Sequence, residues 1–222
     1  MGGYVYTKNQ KLSSIIANLH QTEITLKLVR IKDKNIIDVG CGDGTYTQEW
    51  YNLGKPKSIF AFDPSKDAIK SARKNNLYKK NVVYKVGNIY NLPRGKKYEV
   101  AIVRGVLHHL YNPEKAMSEL SKVSKKVILI EPNGYNLILK VIEKTSKYHI
   151  EHEEKSYPPF KIDQWITENK GRIVKRKFAA IVPFFCPDWM VKILKRIEPF
   201  IEGSPILSWF FCSNYYVVYT NP

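Results

Sequence analysis

Three glycines at alternate positions follow an apolar run near residue 40. Gly40, Gly42 and Gly44 form this turn, and glycine lets a backbone adopt positive φ and approach a ligand closely. Ligands in open α/β sheets lie at the carboxyl ends of strands, beside helix N-termini. Asp38 and Asp43 flank the turn, and their carboxylates favour a cationic ligand over a pyrophosphate. Taken alone, the turn is also compatible with a plain tight connection between a strand and a helix.

A further acidic residue supports the ligand-binding interpretation. Asp63 ends the apolar run 58–62, about 20 positions after the glycines, where dinucleotide-binding folds place the carboxylate that holds a ribose. The nicotinamide fingerprint is G-x-G-x-x-G, whereas the pattern here is G-x-G-x-G. The spacing therefore predicts a nucleotide-like ligand of another kind.

Two adjacent histidines are candidates for acid–base chemistry. His108 and His109 follow a predicted strand, and histidine titrates near neutrality. Adjacent residues point in different directions, so at most one of them serves as a base; the alternative is that both are structural. Neighbouring histidines make a poor metal site and no Glu/His set completes one, so we predict no metal.

The elements that position these residues follow from hydrophobic periodicity. Near-continuous apolar runs alternate with helical patterns, which predicts an α/β fold with a doubly wound, mostly parallel sheet. Predicted strands cover 36–40, 58–62, 82–86, 99–103, 126–131, 172–182 and 209–220. Predicted helices cover one or two segments within 1–30, then 44–53, 65–76, 113–123, 135–148 and 162–169. Asn112 and Pro113 predict the cap and first turn of the helix 113–123.

Taken together, these motifs resemble those of the class I S-adenosylmethionine-dependent methyltransferases, in particular the type 11-like group that acts on small molecules. The resemblance covers about residues 30–133. It rests on residues 38–44 for the first motif, 60–65 for the second, 87–93 for the adenine segment, 98–110 for the fourth strand and its turn, and 112–116 for the next helix.

The resemblance implies a Rossmann-like sheet of seven strands with an antiparallel last strand. It also implies that 134–160 and 183–208 form a small substrate cap. The length of the chain predicts one domain over 1–222, and the apolar pattern of 1–30 predicts a helical lid. The implied cofactor is S-adenosylmethionine, whose product is S-adenosylhomocysteine (SAH). Its implied binding residues are Asp38, Gly40, Cys41, Gly42, Gly44, Asp63, Pro64, Asn88, Ile89 and Arg104.

The same resemblance implies individual roles. Asp38 lies near the amino acid end of the cofactor, and Asp63 accepts hydrogen bonds from the ribose hydroxyls. Asn88 stands where an acidic residue is commoner, and its amide oxygen can still accept from the adenine amine. Arg104 lies near the methionine carboxylate or the substrate, or else points to the surface. Residues His108 and His109 are the implied catalytic candidates.

Two parts of the cap contain further candidates. The titratable residues of 149–154 either contact substrate or form a solvated loop. The aromatic residues of the cap can wall an apolar pocket, as small-molecule sites require; they are Tyr157, Phe160, Phe184, Phe185 and Trp189.

Composition limits the functional classes. The 222 residues are 44% hydrophobic, which is typical of a globular domain and excludes a disordered chain. A run of about 18 apolar residues is absent, so no membrane span is predicted. Met1-Gly2-Gly3-Tyr4 lacks a secretory pattern, which predicts a cytoplasmic location. Cys41, Cys186 and Cys212 match neither a disulfide framework nor a zinc spacing, and the last two are predicted buried hydrophobes.

Net charge leaves two kinds of partner open. The formal charge is +16, and such a surface attracts nucleic acid, anionic lipid or acidic metabolites. Its lysines are spread in pairs such as Lys79-Lys80, which favours a solvated surface without a partner. We therefore expect a small-molecule methyl acceptor of metabolite, lipid or quinone type, methylated at O, N or C.

An RNA methyltransferase is the alternative that the charge supports. Against it, an Asp/Asn-Pro-Pro-aromatic motif is missing where Arg104-Gly105-Val106-Leu107 stands. A non-catalytic cofactor-binding regulator is the third possibility.

Overall fold

A seven-stranded sheet forms the centre of the protein. The computed structural model describes residues 11–92, 98–145 and 156–222. Within them the strands lie in the order β3-β2-β1-β4-β5-β7-β6. Their bounds are β1 Asn35–Val39, β2 Ser58–Asp63, β3 Val82–Val86, β4 Tyr98–Arg104, β5 Ser124–Pro132, β6 Arg172–Ala179 and β7 Asn214–Thr220. β7 pairs antiparallel with both of its neighbours, and the other pairs are parallel. The predicted fold class is confirmed.

Helices cover both faces of the sheet. They are α1 Leu12–Leu28, α2 Thr45–Gly54, α3 Lys66–Lys74, α4 Pro113–Val123, α5 Leu137–Thr145, α6 Pro159–Glu168, α7 Asp188–Gly203 and α8 Pro205–Phe211, with short 3₁₀ turns at Ile89–Asn91 and Leu107–His109. The predicted cap of α4 is confirmed, since Asn112 Oδ1 accepts from the Lys115 N–H at 3.0 Å. None of the described helices combines the length and apolar character needed to cross a bilayer.

Two hydrophobic layers hold the sheet between them. Successive residues of a strand face opposite sides, so Ile37 and Val103 pack in one layer while Ile36 and Ile102 pack in the other. The first layer includes Trp165 of α6. The inner strands β1, β4, β5 and β7 are thus buried on both faces over most of their length, which explains their near-continuous apolar sequences. The edge strands β3 and β6 keep exposed residues. Cys186 and Cys212 are free and buried, as predicted.

The prediction for the last strand was wrong at its start. Residues 209–211 belong to α8, and β7 begins only at Asn214. Aromatic residues have high β propensity, but propensity yields to local helix signals. Here Ser204 Oγ accepts from the Leu207 N–H and Pro205 occupies the first turn, and these start a helix.

The preceding strand is shorter than predicted. β6 ends at Ala179, whereas the prediction continued to residue 182. Ala180 has a φ of 64°, in the left-handed region, which is incompatible with an extended strand.

Candidate active site

A cavity of about 350 Å³ opens at the carboxyl ends of β1, β2 and β4. Small-molecule sites have volumes of this order. Its walls comprise Gln21, Asp38, Gly40, Cys41, Gly42, Tyr46, Trp50, Asp63, Ser65, Ala68, Arg104, Gly105, His108, His109, Ile130, Pro132, Phe184 and Asn214. The parallel sheet brings the strand-end residues Asp38, Asp63 and Arg104 together because the ends of its parallel strands meet at one edge. Helices and loops supply the other wall residues.

Asp63 fastens the glycine turn to the neighbouring strand. Its Oδ2 accepts from the Gly42 N–H at 2.9 Å, and its Oδ1 accepts from the Ser65 N–H at 2.9 Å. Gly40, Gly42 and Gly44 all have positive φ, at 75°, 54° and 80°. The carboxylate therefore shapes the turn and also stands in the cavity wall, where its remaining lone pairs can accept further hydrogen bonds.

The glycines at 42 and 44 differ in what surrounds them. No atom lies within 4 Å of the position that a Cβ on Gly42 would occupy. A Cβ on Gly44 would lie 2.7 Å from the Tyr84 hydroxyl oxygen, which itself donates to the Gly44 carbonyl at 3.2 Å. Gly42 thus leaves open space beside the cavity, whereas Gly44 is needed for packing.

Asp38 is a buried carboxyl at the end of β1. Burial and, to a smaller extent, the charge of Asp63 raise the pKa of Asp38 to about 7. The hydrogen bond from Thr47 Oγ1, at 2.5 Å, and the charge of Arg104 oppose this shift. Asp38 consequently changes charge near neutral pH, and a cation in the cavity would favour its ionised form.

Arg104 lies in the cavity wall with one nitrogen unsatisfied. Its guanidinium stacks 3.7 Å from the ring centre of Tyr46, and its Nη2 donates to Asn18 Oδ1 at 2.8 Å. Its Nη1 is buried without a hydrogen-bond partner among the described residues. An unpaired buried donor is costly, so this atom indicates an anionic or carbonyl group supplied by a ligand.

His108 is held by a residue that sequence reasoning missed. Its Nδ1 lies 2.8 Å from Oε2 of Glu131, a buried residue near the end of β5. Glu131 Oε1 also accepts from the backbone N–H groups of Val106 and Leu107, at 2.9 and 2.8 Å. The available signal was an acidic residue ending an apolar strand, as Asp38 and Asp63 do.

His109 lies next to His108 but is more exposed. The two ring centres are 4.0 Å apart, and both side chains border the cavity. Glu131 bonds both the His108 ring and its backbone N–H, which fixes the orientation of His108.

Comparison with known proteins decides the family. Residues 31–179 match a family described as a methyltransferase domain. The chain belongs to this methyltransferase family, and therefore to the class I S-adenosylmethionine-dependent methyltransferases. In this methyltransferase chain the glycine turn, Asp63 and Arg104 border one cavity.

The curated relatives differ in the kind of molecule that they modify. The chain is 33% identical over 100 residues to a tRNA U34 carboxymethyltransferase of Campylobacter fetus, covering 44% of this chain and 35% of that protein. It is 28% identical over 123 residues to a mitochondrial ubiquinone biosynthesis O-methyltransferase of Dictyostelium discoideum, covering 50% and 36%. The chain thus spans about a third of the length of these curated relatives.

A solved structure shows the same fold. Magnesium protoporphyrin IX methyltransferase from Synechocystis PCC 6803, determined with bound SAH, superposes with a TM-score of 0.66 at 13% identity. The match covers 100% of this chain and 90% of that one.

Some of the predicted cofactor-binding residues do not line the cavity of this methyltransferase. Asn88 is exposed, and its Oδ1 accepts from the Tyr90 N–H at 3.0 Å, capping a short turn. Ile89 is buried in the hydrophobic layer, while Pro64 is exposed and Gly44 packs against Tyr84. Their roles toward the cofactor stay predictions.

Of the predicted aromatic pocket residues, Phe184 borders the cavity. Phe160, Phe185 and Trp189 are exposed, and Tyr157 packs edge-on against Trp165 in the core. The titratable residues predicted at 149–154 lie outside the described residues, as do residues 1–10 of the predicted lid.

Helix α1 contributes to the site through side chains that the sequence did not single out. Gln21 borders the cavity and Asn18 holds Arg104. His20 anchors the helix to α7, with its Nε2 2.7 Å from Glu202 and 3.4 Å from Glu198. Hydrogen bonds from His20 and from the Ala180 N–H outweigh burial and lower the pKa of Glu202.

His20, Glu198 and Glu202 place three ligand atoms within 4.8 Å of one another, which is close enough to coordinate a metal ion. However, Glu198 pairs with Lys195 and Glu202 with Lys177, so the protein itself balances the negative charge. We assign the cluster a structural role.

Proposed function

We propose that this protein transfers a methyl group from S-adenosylmethionine to an O, N or C atom of a small molecule by in-line displacement. One observation carries the proposal: a glycine turn open to a ligand, an unsatisfied arginine nitrogen and an oriented histidine border the same cavity. The family membership supplies the reaction class.

The residues present suit S-adenosylmethionine. The open side of Gly42 allows a ligand to approach the backbone, and Arg104 Nη1 can donate to the methionine carboxylate. Asp38 and Asp63 supply negative charge for the cationic cofactor and acceptors for its amino and hydroxyl groups.

Methyl transfer needs little chemistry from the protein. S-adenosylmethionine supplies an already activated methyl group on a sulfonium centre. The cavity residues must orient the acceptor and exclude water, and positioning of this kind can contribute ~7–11 kcal/mol toward lowering the barrier. Neither a covalent nucleophile nor a metal is required for that step.

His108 is the residue best placed to take a proton from the acceptor. A Nδ1–H donated to the Glu131 carboxylate leaves Nε2 as the ring nitrogen that carries the lone pair. His108 borders the cavity, so an acceptor hydroxyl or amine there can lose its proton to this nitrogen. His109 is the weaker candidate because it is more exposed.

An RNA acceptor is the second candidate. The observations that favour it are the +16 charge and the likeness to a tRNA carboxymethyltransferase. RNA binding would weaken steeply with salt, so affinity for tRNA that stays flat between about 0.05 and 0.2 M salt would exclude it.

Calorimetry with S-adenosylmethionine and SAH tests the core of the proposal. We expect binding of both ligands, and no detectable binding at millimolar ligand would refute it. The non-catalytic alternative predicts cofactor affinity without turnover, so methyl transfer to any of a panel of phenols, quinols and amines would exclude a purely regulatory role.

A further inference from the structure

Helices α7 and α8 expose many large apolar side chains. These residues are Trp189, Ile193, Ile197 and Phe200 on α7, and Ile206, Trp209 and Phe210 on α8. Trp189 is 62% exposed and Phe200 is 73% exposed. Single exposed apolar residues are normal, but a set of this size on two packed helices marks an interaction surface. We call these seven side chains the α7–α8 face.

The exposed residues of α7 form one continuous stripe. At about 100° per residue, Trp189, Ile193 and Phe200 lie within about 40° of one another around the helix axis. The opposite side of α7 carries its buried residues, Val191 and Glu198. The inner side thus meets the protein, and the outer side is a second apolar side that stays exposed.

The neighbouring helix α5 extends the apolar surface. Asn136, just before α5, donates to the Phe211 carbonyl of α8 at 3.0 Å, which holds the two helices together. α5 exposes Leu137, Ile138 and Val141.

The charges on the α7–α8 face are basic. Lys192 and Arg196 are exposed on α7, and Arg196 lies between Ile193 and Phe200 along the stripe. Helix α8 contains no charged residue. On α7, Glu198 is buried and paired with Lys195, so Asp188 in the first turn is the exposed acid of these two helices.

We propose that the α7–α8 face binds the headgroup region of an anionic lipid bilayer. Tryptophan and phenylalanine are favoured at the membrane interface. Lysine and arginine side chains beside them can reach anionic headgroups while their stems stay in apolar surroundings. The +16 charge of the chain adds a long-range attraction to the same surface. This inference does not depend on methyl transfer.

A second copy of the chain suits the face less well. A two-fold contact across it would bring Lys192 and Arg196 of both copies together. With Asp188 as the exposed acid of α7, desolvating these cations would be poorly compensated. Anionic headgroups supply the missing negative charge.

Vesicle co-sedimentation tests the proposal. The probes are vesicles of phosphatidylcholine alone and of phosphatidylcholine with about 30% phosphatidylserine. We expect binding to the anionic vesicles, weaker binding to the neutral ones, and loss of the difference in about 0.5 M NaCl. The double variant Trp189→Ser/Phe200→Ser should weaken binding at least about tenfold, because it removes two apolar side chains that would insert into the bilayer.

Substituting the basic residues should affect binding to anionic vesicles only. Lys192→Gln with Arg196→Gln should weaken binding to anionic vesicles by roughly tenfold or more and leave binding to neutral ones unchanged. Leu77→Ser is the matched control, because Leu77 is 80% exposed in the turn before β3, away from these helices. Thermal unfolding of every variant should match that of the parent protein, since all of these side chains are exposed.

Three results would overturn the proposal. The first is no binding of the parent protein to anionic vesicles. The second is an equal loss with Leu77→Ser, which would show that the face is not special. The third is a dimer in sedimentation equilibrium that Phe200→Ser dissociates, without vesicle binding by the parent, which would assign the face to a second copy of the chain.

Discussion

The imidazole of His108 is bonded to the carboxylate of Glu131, with Nδ1 and Oε2 2.8 Å apart. Because Glu131 also accepts from backbone N–H groups of the same turn, it sets the turn and the ring together. Glu131 does not border the cavity, so it acts through His108 as a positioning residue.

Glu131→Gln should separate turnover from cofactor binding. Glutamine keeps the size but loses the charge and one acceptor oxygen, so His108 loses its fixed tautomer. We expect kcat to fall about tenfold or more, which approaches the effect of removing a general base altogether. The KM for S-adenosylmethionine should stay unchanged, and steady-state kinetics across pH measures both. His109→Gln is the control, with a smaller effect; a parallel rise in KM would indicate a merely structural role for Glu131.

Arg104→Lys should weaken the binding of S-adenosylmethionine. Lysine keeps the charge, but it cannot both donate to Asn18 and present a second fixed nitrogen to the cavity. We expect the Kd to rise about tenfold, the value of one charge-assisted hydrogen bond. Calorimetry measures the Kd, with Arg196→Lys as the matched control, because Arg196 is exposed on α7 and does not border the cavity. An unchanged Kd in Arg104→Lys would show that Nη1 does not contact the cofactor.

Asp38→Asn should change how stability depends on pH. The folded-state pKa of Asp38, about 7, lies above the ordinary 3.8, so between these values the folded protein keeps a proton that the unfolded chain has lost. The stabilising contribution of Asp38 to the free energy of unfolding is therefore fully present below pH 3.8 and is lost as pH rises through about 7. Asparagine still accepts from Thr47 and does not titrate.

Urea denaturation at about pH 5 and about pH 8 measures how much the free energy of unfolding falls between the two pH values. This fall should be about 3 kcal/mol larger in the parent than in Asp38→Asn. Asp67→Asn, an exposed residue of α3, should leave the pH dependence of the parent intact. If Asp38→Asn has the same pH dependence as the parent, then Asp38 titrates normally in the folded protein.

Gly42→Ala and Gly44→Ala should fail in different ways. Both positions have positive φ, which costs an alanine about 1 kcal/mol. At Gly44 the added methyl also meets Tyr84, so we expect a further loss of roughly 1–3 kcal/mol in the free energy of unfolding. At Gly42 the methyl meets open space, so stability falls less and the affinity for S-adenosylmethionine falls more.

Thermal unfolding and calorimetry on both variants separate these effects. Gly203→Ala is the control, because its Cβ also meets open space and Gly203 lies at the end of α7, outside the cavity walls. Equal losses of stability in both glycine variants would contradict the difference in packing.

Local signals predicted most of the sheet. The strand 82–86 and the helix 113–123 have the predicted bounds. The valines and the tyrosine of 82–86 favour a strand, and a cap followed by proline starts a helix. The exceptions are also local: at 209–211 aromatic residues suggested a strand, while Ser204 and Pro205 started a helix.

The sequence by itself determined the order of the strands, the glycine turn and the strand-end acids Asp38 and Asp63, since backbone preference and hydrophobic periodicity act over a few residues. It did not predict the helices α7 and α8. Only the tertiary structure decided what these side chains meet. Arg104 bonds Asn18 across 86 positions, and His108 bonds Glu131 across 23. The exposure of the α7–α8 face is likewise a tertiary property. Such contacts depend on how elements that are far apart in the sequence pack together, and no local sequence pattern specifies this packing.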